Sequence, residues 1–204
     1  MAKAKKGARQ NQGQVRIIGG SWRGRRLRVL DHEGLRPSGD RVRETLFNWL
    51  QFDLPGAVCL DAFAGTGALG AEALSRGAKQ VIMLEREPRV AHNLSQQLTE
   101  LAGASLSVEC VDALIWLQSP ARERFDLVFL DPPFVMNLLS QTAQSLESGG
   151  WLSPTALIYV EYARQLARPV LPENWMMLKE KQTQEVVYAL YQRSDKPSFG
   201  SDRV

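Results

Sequence analysis

At 204 residues the chain is long enough to bury a sizeable core as one domain, or as one domain with an appendage. Its net charge is +3 with only two cysteines, no apolar run approaches the roughly 20 residues of a membrane span, and the basic N-terminus lacks the apolar stretch of a secretory signal. Membrane-spanning and disulfide-framework classes are thereby set aside. The expectation is a soluble, cytoplasmic monomer in which Cys59 and Cys110, each in an apolar strand-like run, are buried free thiols.

The charge is unevenly placed. Residues 1–43 hold twelve Lys and Arg against three acids, a balance of +9, which leaves −6 for the remainder. A basic arm on an acidic body points to a polyanionic partner, most simply a nucleic acid.

Residues 1–13 offer almost nothing to bury and read as a disordered basic tail. In residues 14–34, Val15–Ile18 and Leu27–Leu30 flank a glycine turn and predict a hairpin arm, too small to stand alone. The main domain is expected over 35–193. It opens with a loop in which Ser38 or Asp40 is the N-cap of a helix over Arg41–Phe52. Strands follow at Val58–Phe63, Gln80–Glu85, Ser105–Val111, Phe125–Asp131 and Ala156–Glu161. They alternate with helices at Gly67–Arg76, Pro88–Leu101, Ala113–Leu117 and Val135–Leu146. That alternation predicts an α/β, doubly wound, mainly parallel sheet. Trp175–Lys181 and Glu185–Tyr191 form an antiparallel hairpin at one edge, and 194–204 is a loose tail.

Two motifs carry the chemistry. The run Asp61-Ala-Phe63-Ala-Gly65-Thr-Gly67-Ala-Leu-Gly70 is a strand, a glycine turn and a helix start, the form of a cradle for a nucleoside cofactor. The glycines alone do not separate a dinucleotide from S-adenosylmethionine; the acids do. Asp61 would repel a pyrophosphate but favours the ammonium of S-adenosylmethionine. Glu85 ends the next strand, where a carboxylate accepts two ribose hydroxyls, and Asp112 ends the third, where it meets an adenine edge. Strand-end acids also cap helices, which is the plainer role for all three, and for Asp112 above all.

The second motif is Asp131-Pro132-Pro133-Phe134, at the end of a buried strand. An exocyclic amine is a poor nucleophile because its lone pair is delocalised into the ring. Asp131 and the Pro132 carbonyl, held rigidly by consecutive prolines, accept its hydrogens, and Phe134 offers a face for the base. A carboxylate suits guanine, with donors at N1 and N2, better than adenine, with an acceptor at N1. Methylation of a pyrimidine carbon calls for a cysteine nucleophile, and neither cysteine is placed for it. His32 and His92 lack ligand spacing, so no metal is expected.

In the arm, Arg16, Arg23, Arg25, Arg26 and Arg28, with Trp22 among them, are suited to phosphates and to a stacked RNA base. Arg36 joins them as a predicted RNA contact, and Arg36-Pro37-Ser38 sits where a lid would cover the cofactor. Two other readings stay open: an adenine-N6 methyltransferase acting on RNA or DNA, and a non-catalytic ribosome assembly factor.

With these residues assembled, the chain resembles the RsmD-type 16S ribosomal RNA (guanine-N2)-methyltransferase family. The likeness lies in Arg16-Ile-Ile-Gly-Gly20, Trp22-Arg-Gly-Arg25, Leu35-Arg-Pro37, Asp40 through Trp49, Asp61 through Gly70 and Asp131 through Phe134. The resemblance implies a class I methyltransferase (Rossmann-like) fold and S-adenosylmethionine as donor. It implies as substrate 16S ribosomal RNA in an assembled or assembling small subunit. It places the cofactor at Asp61, Phe63, Gly65, Gly67, Gly70, Glu85 and Asp112, with Pro37 over it, and the chemistry at Asp131, Pro132 and Phe134.

Overall fold

The computed structural model describes residues 13–30, 39–133 and 138–195. The hairpin arm is there: β1 (Gly13–Arg16) pairs antiparallel with β2 (Arg26–Val29), Val15 opposite Leu27. Both strands sit earlier than the expected 15–18 and 27–30. Ile17 carries the pairing on, donating its N–H to the Arg25 carbonyl at 2.9 Å and accepting from Gly24 at 2.9 Å, and Ile18 beyond it donates its N–H to a Glu72 carboxylate oxygen at 2.8 Å. Alternate residues Val15, Leu27 and Val29 face inward and are buried, while Gln14, Arg16, Arg26 and Arg28 face out.

The helix α1 (Asp40–Trp49) is capped by Gly39 with no side-chain cap bond. Asp40 is therefore not the N-cap; its carboxylate is drawn to Arg43 at 2.5 Å. The other N-cap candidate, Ser38, lies outside the described residues, as do Arg36, Pro37, Phe134, the expected helix start at Val135 and the tails 1–12 and 196–204.

The strands β3 (Val58–Asp61), β4 (Gln80–Glu85) and β5 (Leu106–Cys110) alternate with α2 (Ala68–Ser75), α3 (Pro88–Ala102) and α4 (Ala113–Leu117). The strands β6 (Phe125–Leu130) and β7 (Leu152–Ala163) flank α5 (Leu138–Ser148), and β8 (Trp175–Gln182) and β9 (Val186–Arg193) close the chain. The buried runs of β3, β4 and β6 are almost wholly apolar, as strands covered on both faces require. β7 begins four residues before the expected Ala156. Pro154 breaks the apolar run, and the sheet absorbs it in an irregularity that takes the pairing from Phe125–Leu152 to Leu127–Leu157.

The sheet order is β5-β4-β3-β6-β7-β9-β8. The first five strands are parallel; β9 is antiparallel to both neighbours, and β8 forms the edge. This is the doubly wound sheet with an edge hairpin that the sequence predicts. One face packs Cys59, Met83, Leu127, Phe129 and Tyr159 under α1, α2 and α3. The other packs Leu60, Ile82, Val128, Leu130 and Ile158 under α4 and α5. Trp151 is fully buried against Trp116, whereas Trp49 is half-buried, stacked on Tyr188.

Cys59 is buried as expected, and burial pushes its thiol up to about 12. Cys110 is exposed, contrary to expectation. It ends β5, the sheet's other edge strand, beyond which no further strand pairs among the described residues.

The chain leaves β3 toward β4 and β5, then returns to place β6 on the other side of β3. At such a switch point the loops at the carboxyl ends of the strands part and leave a crevice. Asp61 and Asp131 stand on its two sides.

Candidate active site

On the β3 side the cradle is tied by its own carboxylates. Gly67 has φ +72° at the start of α2, a left-handed conformation, and a Cβ there would come within 2.6 Å of Leu94 Cδ2. At Gly70 a Cβ would lie 2.4 Å from Met83 Cε, so this glycine lets α2 lie close on β4. Asp61 is 2% exposed and its Oδ2 accepts the Gly70 N–H at 3.0 Å. Glu85 accepts the Gly65 N–H on Oε2 at 2.9 Å and the Glu87 N–H on Oε1 at 2.8 Å. Asp61, Gly65, Gly67, Gly70 and Glu85 are thus brought together at the carboxyl ends of β3 and β4. Phe63 is half-buried at the mouth of the turn, packed against the second core cluster.

Burial drives the Asp61 carboxyl from 3.8 up to about 7; the N–H groups of Gly70 and Phe63 pull it down in part, and the Glu85 charge adds to the rise. Such a group holds its negative charge at a cost and gains from a cation. The donor and acceptor set therefore suits a ligand with an ammonium and ribose hydroxyls, and opposes a pyrophosphate.

Cys110 pairs with Glu85 in register, which brings Asp112 beside the same crevice. Its Oδ1 is already engaged as the N-cap of α4, accepting from Leu114 at 2.9 Å and Ile115 at 3.4 Å. Glu87, two residues past Glu85, is the N-cap of α3, accepting the Arg89 N–H at 3.5 Å.

On the β6 side, Asp131 is half-buried, Pro132 buried and Pro133 exposed. Ala62 donates its N–H to the Phe129 carbonyl at 3.2 Å, which locks the two strand ends together.

The arm lies along α2 and α3. Ser21 N–H reaches the Ser75 carbonyl at 2.7 Å, Trp22 N–H the Ser75 hydroxyl at 2.9 Å, and Arg28 N–H the Gln97 amide oxygen at 2.6 Å. Trp22 is half-buried against the main core, so part of its ring is committed to holding the arm. Arg16, Arg23, Arg25, Arg26 and Arg28 are exposed; Arg16 stands 3.8 Å from Asp40, and Arg26 donates to Gln14 at 3.1 Å.

Sequence reasoning missed the residue that anchors this arm. Glu72, fully buried on α2, receives Ile18 N–H at 2.8 Å and Arg76 Nε at 2.7 Å, with Arg43 Nη1 at 3.8 Å. Arg43, also buried, donates two bonds to the Arg16 carbonyl at 3.0 Å. The available signal was an isolated acid in Ala-Leu-Gly-Ala-Glu-Ala-Leu-Ser, a helix otherwise without charge.

With this geometry in place, comparison with known proteins is informative. The family model described as Conserved hypothetical protein 95 matches residues 15–192. A protein of Haemophilus influenzae named ribosomal RNA small subunit methyltransferase D is 51% identical over 185 residues, covering 89% of this chain and 95% of its own. Its namesake in Escherichia coli is 45% identical over 198 residues, covering 97% and 100%. The solved structure of yhhF from Escherichia coli superposes with a TM-score of 0.83 at 45% identity, over 90% of this chain and all of that one.

Proposed function

We propose that this chain, which belongs to the Conserved hypothetical protein 95 family of RsmD-type methyltransferases, methylates the exocyclic N2 of a guanine in 16S ribosomal RNA. The chain is a methyltransferase with S-adenosylmethionine as its donor. The observation that carries the base assignment is Asp131, followed by the rigid Pro132 carbonyl, across the switch point from the Asp61 cradle. A carboxylate accepts from guanine's paired N1 and N2 donors, whereas adenine's N1 would face it with a lone pair.

When bound, S-adenosylmethionine supplies an electrophilic methyl group on sulfur. Asp61 holds the ammonium end, Glu85 the ribose hydroxyls and Asp112 the adenine edge, with Phe63 and Pro37 lining the nucleoside. Asp131 and the Pro132 carbonyl take the N2 hydrogens and draw the lone pair out of the ring. Phe134 stacks the base, worth roughly 1–3 kcal/mol. The remaining work is alignment, which removes the entropy of bringing two molecules together. Arg16, Arg23, Arg25, Arg26, Arg28 and Arg36 grip RNA phosphates and Trp22 borders them. The protein acts as a cytoplasmic monomer on the assembled or assembling small subunit.

Asp131→Ala tests the assignment. Methyl transfer should fall roughly 100-fold or more, with affinity for S-adenosylmethionine retained. Unchanged turnover would remove Asp131 from the chemistry.

A further inference from the structure

Between the turn of the arm and α1 lies a cleft of about 290 Å³. One wall is a row on α1, Asp40, Glu44 and Asn48, spaced four residues apart and so on one side of the helix. The facing wall is basic, with Arg16 and Arg23 from the arm and Arg76 from the end of α2. The walls meet where Arg16 stands 3.8 Å from Asp40, and Arg43 fixes them there by donating two bonds to the Arg16 carbonyl at 3.0 Å.

Arg76 is the rigid part of this cleft. Its Nε is bound to Glu72 at 2.7 Å, its guanidinium lies over the Phe47 ring at 5.2 Å, and its side chain is only 21% exposed. On the arm side Gly19 packs so close that a Cβ there would collide with the guanidinium. A guanidinium held in this way loses little freedom when its remaining donors find a ligand. Among the described residues, neither Nη group of Arg76 makes a hydrogen bond, and the side chains of Arg23, Glu44 and Asn48 make neither hydrogen bond nor ion pair.

The acidic wall decides which ligand fits. Asp40 is spent on Arg43 and Arg16, but Glu44 keeps its charge for the cleft and would repel a phosphate placed against it. A base that offers donors to Glu44 and acceptors to Arg76 suits both walls. Guanine does so: its N1 and N2 donate to a carboxylate, while its O6 and N7 accept from a guanidinium. Adenine would set the lone pair of N1 against Glu44. Cytosine offers Glu44 only its N4 amine, and uracil only N3–H.

We propose that this cleft is a second base pocket, which takes an unpaired guanine of the RNA near the target. This rests on the RNA-methylation reading above. α2 begins at the cofactor cradle and Arg76 caps its other end; eight residues at about 1.5 Å each set the two about 12 Å apart. The guanine held here is therefore a neighbour of the methylated one on the same single-stranded segment. Glu44 accepts from its N1 and N2, Arg76 donates to O6 or N7, and Arg23 faces its phosphate. Phosphate contacts position an RNA and base contacts specify it, so the cleft selects the site where the arm arginines alone would hold any RNA.

The test begins with a nuclear magnetic resonance titration of the full chain, using guanosine, adenosine, cytidine and uridine 5′-monophosphates and inorganic phosphate. Guanosine monophosphate should shift the amides of Ile18, Glu44 and Asn48 more than the others do, and Glu44→Gln should abolish those shifts. Equal shifts from all four nucleotides, the same shifts from phosphate alone, or none from guanosine monophosphate overturn the proposal. In single-turnover methylation of unmodified small subunits, Glu44→Gln should raise the half-saturating enzyme concentration about tenfold with the maximal rate retained. Taking a negative charge from a surface that only grips phosphates would instead tighten binding, so an unchanged or lower half-saturating concentration overturns the pocket. Thermal melting checks folding; if Glu44→Gln does not fold, Asn48→Ala decides by the same two readouts. A protein that forms N2-methylguanosine without a guanosine shift at the cleft loses this pocket alone. A wild type that labels no guanine fails the methylation reading, and the pocket's role with it.

Discussion

Replacing Asp61 by Asn should change how stability depends on pH, and the size of the effect follows from its burial. The carboxyl is 2% exposed and titrates at about 7 in the folded chain, against 3.8 for an ordinary aspartate. Between those values the folded state keeps a proton that the unfolded chain has lost. The folded state therefore binds more protons there, and stability falls as pH rises. The contribution is fully present below about pH 4 and is gone above about pH 7. Roughly three pH units at about 1.4 kcal/mol each give about 4 kcal/mol. Urea unfolding of the ligand-free protein across this window measures it. Wild type should lose about 4 kcal/mol relative to Asp61→Asn, whose amide oxygen can still accept the Gly70 N–H. S-adenosylmethionine binding should tighten as pH rises through the same range in wild type only, because its ammonium favours the ionised carboxylate. Parallel stability curves for the two proteins would refute the reasoning.

Other consequences are simpler to check. Gly67→Ala forces a side chain onto φ +72° and toward Leu94, and should cost about 1–3 kcal/mol in denaturant unfolding while weakening cofactor binding. Glu72→Gln leaves Arg43 and Arg76 without the buried carboxylate they share; unfolding stability should drop by about 3 kcal/mol, and protease should then cut the arm more readily. Reversing the charge of Arg23, Arg25, Arg26 and Arg28 should weaken RNA binding at low salt and flatten its dependence on salt by about one for each phosphate no longer neutralised. An unchanged slope would reduce the arm to a solubilising feature.

The strand ends that build the crevice were legible in the sequence for a physical reason. A parallel strand buried on both faces is an apolar run, so an acid at its end, as at Asp61, Glu85 and Asp131, stands out. The strand order then brings β3 and β6 together. What stayed hidden depends on distant partners. Ile18 donates its N–H to Glu72, 54 positions away, and Arg43 reaches the Arg16 carbonyl across 27; no local pattern encodes either. Asp112 shows the limit from the other side, since the helix-capping role weighed against ligand binding is the one its Oδ1 performs.

The most direct test uses small ribosomal subunits from cells lacking this protein. They are incubated with the purified chain and methyl-labelled S-adenosylmethionine, and the digested RNA is analysed for the labelled nucleoside. Label in N2-methylguanosine is the predicted result, and it identifies donor, base and atom at once. Label in N6-methyladenosine, or no label on subunits when cofactor binding is measurable, would contradict the account.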